Sequence, residues 1–241
     1  KPLLALLHAM LYYQLMTKNH SWQIARVMLD KPPLDIQQQI EKGISILRQG
    51  GLVAYPTDTV YGLGACVSLP RAVERVYKVK ERPWNMPLSL LLADTSQLTK
   101  TAALVPPTAW PLIHSFLPGA LTIVLPKSSS VPDAITAGGT TIAVRIPAHP
   151  IPITLAAGLG APIVGTSANL SGRPSPLTAE EVYSQLGDKI DLIIDGGRCP
   201  GGKESTIVDV TGETPIVLRE GAISMEELGQ VCENIVLKKG D

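Results

Sequence analysis

Two short stretches of the chain carry side chains that suit a substrate bearing phosphate groups. The polar turn 56–59 contains threonine hydroxyls and an aspartate, and it comes directly after the apolar run 52–55. The second stretch is the basic run 78–82, in which Lys80 and Arg82 stand just ahead of a proline. Hydroxyl and amide groups at the end of a strand can bind an anionic ligand, and nearby cations neutralise it. These residue types therefore predict a phosphate-bearing substrate.

Further polar residues also stand where apolar segments end, namely Arg145, Ser167, Asn169, Ser205 and Arg219. Taken singly, each has a purely structural explanation, such as a turn, a helix cap or a solvated charge. Their recurrence at strand ends instead favours a cleft, because loops that leave one edge of an α/β sheet converge there.

The elements that must position these residues alternate between helix and strand. Asp35 and Gln38 form a start resembling a capping box, and apolar residues at helical spacing then predict a helix that stops at Gly50. A second helix over 70–80 delivers Lys80 at its end. The other predicted helices are 108–116, 150–157, one capped by Thr178 with Glu181, and a last one that is capped by Ser224 with Glu227 and bears Leu228, Val231 and Ile235. The predicted strands are 52–55, 88–92, 121–125, 140–146, 162–165, 191–195, 206–210 and 216–218.

The last two strands flank the turn 211–213, which predicts an antiparallel hairpin, whereas the earlier alternation predicts parallel pairs. The expected fold class is therefore α/β, with an open twisted sheet of mixed parallel and antiparallel strands and with helices. One domain is expected over residues 36–241, and residues 1–35 are expected to be an N-terminal extension that is helical or poorly ordered.

Composition excludes several functional classes. The chain has 21 basic residues (Lys and Arg) and 21 acidic residues (Asp and Glu). It therefore has no net charge that would favour binding to nucleic acid or to a membrane. The apolar stretch near the N-terminus is shorter than the roughly 20 residues that a membrane helix needs. The three cysteines are far apart and no histidines have metal-ligand spacing, which argues against disulfides and a zinc site. A cytoplasmic protein without a resident metal is expected.

Glycine-rich segments admit alternative nucleotide sites. Gly197, Gly202 and Lys203 fit the G-x-x-x-x-G-K pattern of a phosphate loop. Glu204 then stands where Ser or Thr should bind magnesium, and the β-branched segment 205–210 predicts a strand where that motif needs a helix. A P-loop ATPase acting through Lys203 is thus the less favoured interpretation. Elsewhere, Gly62 and Gly64 are expected to let backbone amides approach a ligand, although no third glycine completes a dinucleotide motif.

Six blocks in the chain resemble the threonylcarbamoyl-AMP synthase family, also called YrdC or TsaC. The resemblance covers about 36–223, and its order makes it far more specific than any single block. The blocks are PTDTVYGLGA at 56–65, the K-x-R of 80–82 with RPWNMPL, PGALTIVL at 118–125, AVRIPAHP at 143–150, TSANLSG at 166–172, and STIVDV at 205–210 with LREG at 218–221.

That resemblance implies an open twisted α/β fold with a concave cationic cleft. It also implies synthesis of threonylcarbamoyl-AMP and pyrophosphate from L-threonine, bicarbonate and ATP, for threonylcarbamoyladenosine modification of tRNA. Lys80 and Arg82 are the implied catalytic residues, through their hold on the triphosphate. The implied nucleotide-binding residues are Lys80, Arg82, Thr141, Ser167, Asn169, Ser175 and Arg219, and the implied threonine-binding residues are Thr59, Arg145 and Ser205.

The cofactor and partners follow from the same resemblance. Mg²⁺ is expected with ATP, and a tRNA threonylcarbamoyl transferase is expected to receive the intermediate. Direct binding of tRNA is expected to be weak and salt-sensitive. The alternative is a module of the same fold that binds double-stranded RNA or tRNA and has no synthase activity. The paired K-x-R and S-x-N patterns favour the enzyme, because a surface for nucleic-acid backbone needs spread positive charge.

Overall fold

The computed structural model describes residues 34–238 of the chain. The predicted N-terminal extension 1–35 therefore lies outside the described residues, except for its last two positions, which begin the first helix. Within the described range, no helix has the length and apolar character required to cross a bilayer.

The helices alternate with short strands, as the sequence predicts. The helices of the described range are α1 (Leu34–Arg48), α2 (Pro70–Lys80), α3 (Leu98–Thr101), α4 (Ala109–Phe116), α5 (Asp133–Thr136), α6 (Pro150–Leu159), α7 (Ala179–Leu186) and α8 (Met225–Gly229). The strands are β1 (Val53–Tyr55), β2 (Gly62–Gly64), β3 (Ser89–Leu91), β4 (Leu121–Pro126), β5 (Thr141–Arg145), β6 (Ile163–Val164), β7 (Thr166–Ser167), β8 (Leu192–Ile193), β9 (Thr206–Asp209), β10 (Ile216–Arg219) and β11 (Val236–Leu237).

These strands form two sheets that are each mixed in direction. The smaller sheet has the order β7-β2-β1-β8, and the larger has the order β11-β10-β9-β4-β5-β3-β6. In the larger sheet, β5 runs parallel to β3 and antiparallel to β4, while β9 and β10 form the predicted antiparallel hairpin. The α/β class with mixed pairing is confirmed; the division of the strands between two sheets has no counterpart in the sequence pattern.

Local sequence explains how α2 presents Lys80. Pro70 occupies the first turn, where its missing N–H costs nothing, and Val76 and Tyr77 face the core. The helix ends where Glu81 adopts a left-handed conformation with φ 52°. Lys80 therefore stands on the last turn, on the buried side of the helix.

Alternation along β5 separates the two faces of the larger sheet. Ile142 and Val144 are buried in the main core, whereas Thr141, Ala143 and Arg145 lie on the opposite face. We call that opposite face, defined by these last three residues, the cleft face.

A second apolar cluster fixes the two sheets to each other. It combines Val53 and Tyr55 of the smaller sheet with Leu91 and Ile163 of the larger sheet and its edge. Leu47 of α1 completes this packing from one side. Polar residues on the loops that follow the strands near this junction therefore have fixed positions relative to one another.

The C-terminal part departs from the sequence prediction. The last helix begins with the predicted capping box of Ser224 and Glu227, but it ends at Gly229, before Val231 and Ile235. The chain then adds β11 in parallel to β10. An edge strand offers unpaired backbone N–H and C=O groups, and the β-branched end of the chain pairs with them instead of continuing the helix.

The expected role of Gly62 and Gly64 also changes. Both lie within β2, and a Cβ at either position would come within 2.7 and 2.8 Å, respectively, of the buried Tyr55 ring. The ring lies across the glycines and fills the space that their missing side chains leave. These glycines thus serve the packing of the smaller sheet.

We expect Gly64→Ala to destabilise the fold by about 1–3 kcal/mol, because the added methyl group overpacks against Tyr55. Urea unfolding followed by circular dichroism measures this free energy. The matched control is Gly212→Ala, where the nearest atom to an added Cβ is 4.0 Å away. Equal unfolding midpoints for Gly64→Ala and the wild type would show that the ring does not confine this position.

Candidate functional site

The side chain of Lys80 lies at the centre of the first cluster of polar groups. It is only 1% exposed, and its Nζ donates to the carbonyls of Ser167 at 2.5 Å and Asn169 at 2.7 Å. A third hydrogen bond of 3.3 Å reaches Asn169 Oδ1. Three acceptors match the three N–H groups of an ammonium ion. The structure therefore brings together Lys80 and the S-x-N segment, as the sequence predicts.

Burial lowers the pKa of Lys80 to about 7, and the neighbouring positive charge of Arg82 acts in the same direction. The carboxylate of Glu204 opposes both effects. A further anion beside Lys80 would favour its charged form and raise this pKa again. The charge of Lys80 would therefore respond to an anion bound beside it.

This pKa gives the ATP binding expected from the sequence a definite pH dependence. In the free protein, Lys80 loses its proton as pH rises through about 7. We therefore expect the Kd for ATP to rise above pH 7.5, by up to about tenfold per pH unit. We also expect Lys80 to take up a proton when ATP binds. Titration calorimetry in buffers of different ionisation enthalpy measures both quantities.

The exposed Lys78, on the same helix, offers a matched control for that measurement. Lys78→Met should retain the pH dependence, and Lys80→Met should abolish it. The same pH dependence in both variants would assign the titration to another group.

Arg82 is held apart from the Lys80 cluster by its own loop. Its Nε donates to the carbonyl of Met86 at 3.1 Å and its Nη2 to the carbonyl of Pro87 at 2.8 Å. Burial lowers the pKa of Arg82, although Tyr77 opposes this effect. The charge of the Arg82 guanidinium therefore affects the pKa of Lys80, but its hydrogen bonds go to none of the other predicted site residues.

The second cluster surrounds Arg145, which is buried on the cleft face. Its Nη2 forms an ion pair of 2.7 Å with Asp58 Oδ1, and its Nη1 donates to Thr59 Oγ1 at 2.9 Å. Its Nε donates to the carbonyl of Gly119 at 2.9 Å. The side chains of Arg145 and Asp58 are only 8% and 15% exposed. Thr59 and Arg145, both predicted to bind threonine, are thus in direct contact.

The glycine-rich loop after β8 packs against Thr59. Gly202 donates to the carbonyl of Thr59 at 3.2 Å, and a Cβ at Gly201 would come within 2.7 Å of the Asp58 carbonyl. Lys203 is exposed, and strand β9 follows it. A P-loop requires a helix N-terminus here, so this loop packs against the polar turn and is not a P-loop.

The third cluster joins Arg219 to the segment that enters β9. Arg219 Nε and Nη2 both donate to the carbonyl of Ser205, at 3.2 and 2.9 Å, and its Nη1 is paired with Glu204. Glu204 also accepts a hydrogen bond of 2.5 Å from Ser175. The Ser205 hydroxyl lies 2.8 Å from that of Thr122 on β4. Glu204 thus joins Ser175 to Arg219, and Arg219 contacts Ser205 directly.

A cavity of about 360 Å³ opens beside this third cluster. Its lining consists of Lys203, Glu204, Arg219, Glu220 and Gly221.

Thr141 lies at the opposite end of β5 from Arg145. Both belong to the cleft face, but they are four residue steps apart along the strand, a separation of about 13 Å. The predicted contacts with nucleotide and with threonine therefore stand at the two ends of one strand.

Sequence reasoning missed two carboxylates and a thiol. Asp58 and Glu204 are the ion-pair partners of Arg145 and Arg219, but in the sequence they resemble a turn residue and a failed P-loop position. Cys199 Sγ accepts a hydrogen bond of 3.4 Å from the Thr57 amide. Burial raises the pKa of this thiol to about 11, so it is protonated and suits a structural role.

His149 is a neutral side chain near Asp58. His149 caps α6, where its Nδ1 accepts a hydrogen bond of 3.3 Å from the Ile151 amide. Burial lowers the pKa of His149 to about 4, and the charge of Asp58 opposes this shift. Since Nδ1 accepts, the ring carries its proton on Nε2.

The described residues contain no group of three or more His, Cys, Asp or Glu side chains that would hold a metal ion. Both oxygens of Glu204 already accept hydrogen bonds from Ser175 and Arg219. A divalent cation at this cleft would thus need ligands from a bound substrate, such as phosphate oxygens.

Comparison with known proteins identifies relatives over most of the chain. The profile of the Sua5/YciO/YrdC family, described as telomere recombination, matches residues 45–221. A protein from Pyrococcus abyssi named threonylcarbamoyl-AMP synthase is 42% identical over 207 residues, which cover 84% of this chain and 61% of that protein. The chain thus spans about three-fifths of the length of that relative.

Solved structures agree with this match. The structure of Pyrococcus abyssi Sua5 complexed with L-threonine has a TM-score of 0.80 and 44% identity, and the match covers 82% of this chain and 58% of that one. Escherichia coli YciO has a TM-score of 0.74 and 33% identity, with coverage of 82% and 95%.

Proposed function

The chain belongs to the Sua5/YciO/YrdC family, and we propose that it is an L-threonylcarbamoyladenylate synthase, a nucleotidyltransferase that uses L-threonine, bicarbonate and ATP. The observation that carries this proposal is the buried Lys80 ammonium, which is held by the carbonyls of Ser167 and Asn169. A related structure that contains L-threonine supports the choice of amino acid.

The proposed reaction has two bond-forming steps. The threonine nitrogen bonds to the carbon of bicarbonate, and one water and one proton leave. An oxygen of the resulting carbamate then attacks the α-phosphorus of ATP, while the bond to the bridging oxygen breaks and pyrophosphate leaves with the electron pair. All reacting groups in the second step are anionic. The protein therefore acts by positioning and by neutralising charge, and no covalent nucleophile is required.

The nucleotide-binding residues of the proposal divide between two of the clusters. Lys80, with Ser167 and Asn169 beside it, takes the triphosphate, and Arg82 joins it by leaving its loop carbonyls. Arg219 and Ser175 bind the nucleotide from the third cluster, and Thr141 contacts it at the far end of β5.

Of the threonine-binding residues of the proposal, Thr59 and Arg145 belong to the second cluster and Ser205 to the third. The planar guanidinium of Arg145 suits a carboxylate, and the hydroxyls of Thr59 and Ser205 contact the rest of the amino acid. We propose that Mg²⁺ enters with ATP, bound mainly by phosphate oxygens and water, as is usual for this ion. It would neutralise charge on the leaving pyrophosphate.

Pyrophosphate release tests the proposal. The full chain is incubated with ATP and Mg²⁺, with and without L-threonine and with and without bicarbonate. Release that requires both threonine and bicarbonate is expected. Release that is absent, or that proceeds equally without threonine, would overturn the synthase assignment.

Binding of nucleic acid remains the alternative, and the charges of the described site argue against it. Arg145 and Arg219 are each paired with a carboxylate, and Lys80 is buried. A phosphodiester backbone needs exposed cations spread along a surface. We therefore propose weak, salt-sensitive contact with tRNA and transfer of the adenylate to a tRNA threonylcarbamoyl transferase in the cytoplasm. A tight complex with tRNA that resists salt would contradict this.

A further inference from the structure

The carboxylate of Asp58 has one oxygen engaged and one oxygen available. Oδ1 accepts hydrogen bonds from Arg145 Nη2 at 2.7 Å and from the Ala148 amide at 3.1 Å. Oδ2 accepts none from any residue between 34 and 238. Within that range, the one fully buried side-chain polar atom without a partner is Ser171 Oγ. Asp58 Oδ2 is therefore not among the fully buried, unpaired atoms of this range, and the Asp58 side chain keeps 15% of its surface exposed.

Arg145 is likewise only partly engaged. Its Nε, Nη1 and Nη2 each make one hydrogen bond, to Gly119, Thr59 and Asp58. A guanidinium has five N–H groups, so each terminal nitrogen keeps one N–H for another acceptor. One ion pair therefore contains a carboxylate oxygen and guanidinium N–H groups that have no hydrogen-bond partner among residues 34–238.

This arrangement is complementary to an amino-acid zwitterion. A free amino acid carries its ammonium and carboxylate groups on one carbon atom, so a binding site needs an anion and a cation that are close neighbours. Arg145 and Asp58 are held in that relation by their ion pair, and both are largely buried. Charge-assisted hydrogen bonds in such a site are stronger than those between neutral groups.

We propose that Asp58 determines specificity by accepting the α-ammonium group of the substrate on Oδ2, while Arg145 binds the carboxylate. This inference rests on the proposed function, since it concerns the threonine site of that reaction. It goes further in assigning a direct contact with the substrate to Asp58, to which the family resemblance gives no role.

A purely structural role for Asp58 makes a different prediction. If Asp58 only orients Arg145, its loss weakens every ligand that has a carboxylate. If Asp58 also binds the ammonium, its loss weakens only ligands that have one. L-threonine and 3-hydroxybutyrate separate these cases, because both have the carboxylate and the hydroxyl but only threonine has the amine.

The test measures the Kd of both ligands for the full chain and for Asp58→Asn by titration calorimetry. Asparagine keeps the size of the side chain and an acceptor for Arg145. We expect threonine to bind about 10- to 100-fold more weakly, because a charge-assisted hydrogen bond is lost. The Kd of 3-hydroxybutyrate should change less than about threefold, since its contacts are kept. The control is Asp195→Asn, an exposed carboxylate on the loop that follows β8.

An equal loss of affinity for both ligands would overturn the inference and leave Asp58 as a positioning residue. If the wild type binds ATP but neither binds threonine nor turns it over, the proposed function fails, and the inference fails with it. If Asp58→Asn does not fold, Asp58→Glu replaces it, because glutamate keeps the charge beside Arg145 and displaces the second oxygen. Selective weakening of threonine is again expected, and equal affinities for threonine in Asp58→Glu and the wild type would overturn the inference.

Discussion

Lys80→Met is expected to lower threonine-dependent pyrophosphate release by at least about 100-fold, because it removes a preorganised cation that acts on the phosphates. Methionine nearly matches the lysine stem in length and needs no hydrogen-bond partner, so the last turn of α2 keeps its packing. The steady-state rate is measured at saturating ATP and threonine, which separates catalysis from weaker binding.

Lys78→Met provides the control for that experiment. Lys78 lies two residues earlier on the same helix and is exposed. The Lys78→Met variant should therefore release pyrophosphate at the rate of the wild type. Circular dichroism and thermal unfolding show whether Lys80→Met is folded. A folded Lys80→Met protein with wild-type turnover would exclude Lys80 from the catalytic site.

Arg145→Ala is expected to destabilise the protein by about 3–5 kcal/mol, because it leaves the largely buried charge of Asp58 without its counter-ion. The double variant Arg145→Met with Asp58→Leu removes both charges and should recover most of that stability. It should not recover threonine binding, since no cation remains for the substrate carboxylate. Urea unfolding and threonine titration are measured on the same preparations.

These two measurements separate the structural role of the ion pair from its role toward the substrate. Arg145→Ala as stable as the wild type would mean that Asp58 is solvated. Threonine affinity in the double variant equal to that of the wild type would place the amino acid elsewhere.

The sequence predicted elements well where local signals were strong. The bounds of α2 at Pro70 and Lys80 agree with the prediction, since proline marks the start and the run 82–83 prevents continuation. The cap of α7 is also as predicted, because Thr178 Oγ1 accepts from the Glu181 amide at 3.3 Å. Such features depend on residues that are close in sequence, so they can be recognised from the sequence alone.

Long-range pairings were not predictable in the same way. The addition of β11 to β10 depends on an edge that forms elsewhere, and no local pattern shows it. The contact of Arg145 with Asp58 joins residues 87 positions apart. Single residues could be recognised as chemically suitable, but their partners follow only from the way the two sheets pack.

The loop that holds Arg82 has an optical consequence. Trp84 is 58% exposed, and its ring stacks on Tyr77 with centroids 4.5 Å apart. In the proposed function Arg82 exchanges the carbonyls of Met86 and Pro87 for a phosphate, and this exchange would change the surroundings of the indole between them. Intrinsic fluorescence therefore offers a label-free signal for nucleotide arrival, and rapid mixing can time that arrival separately from pyrophosphate release.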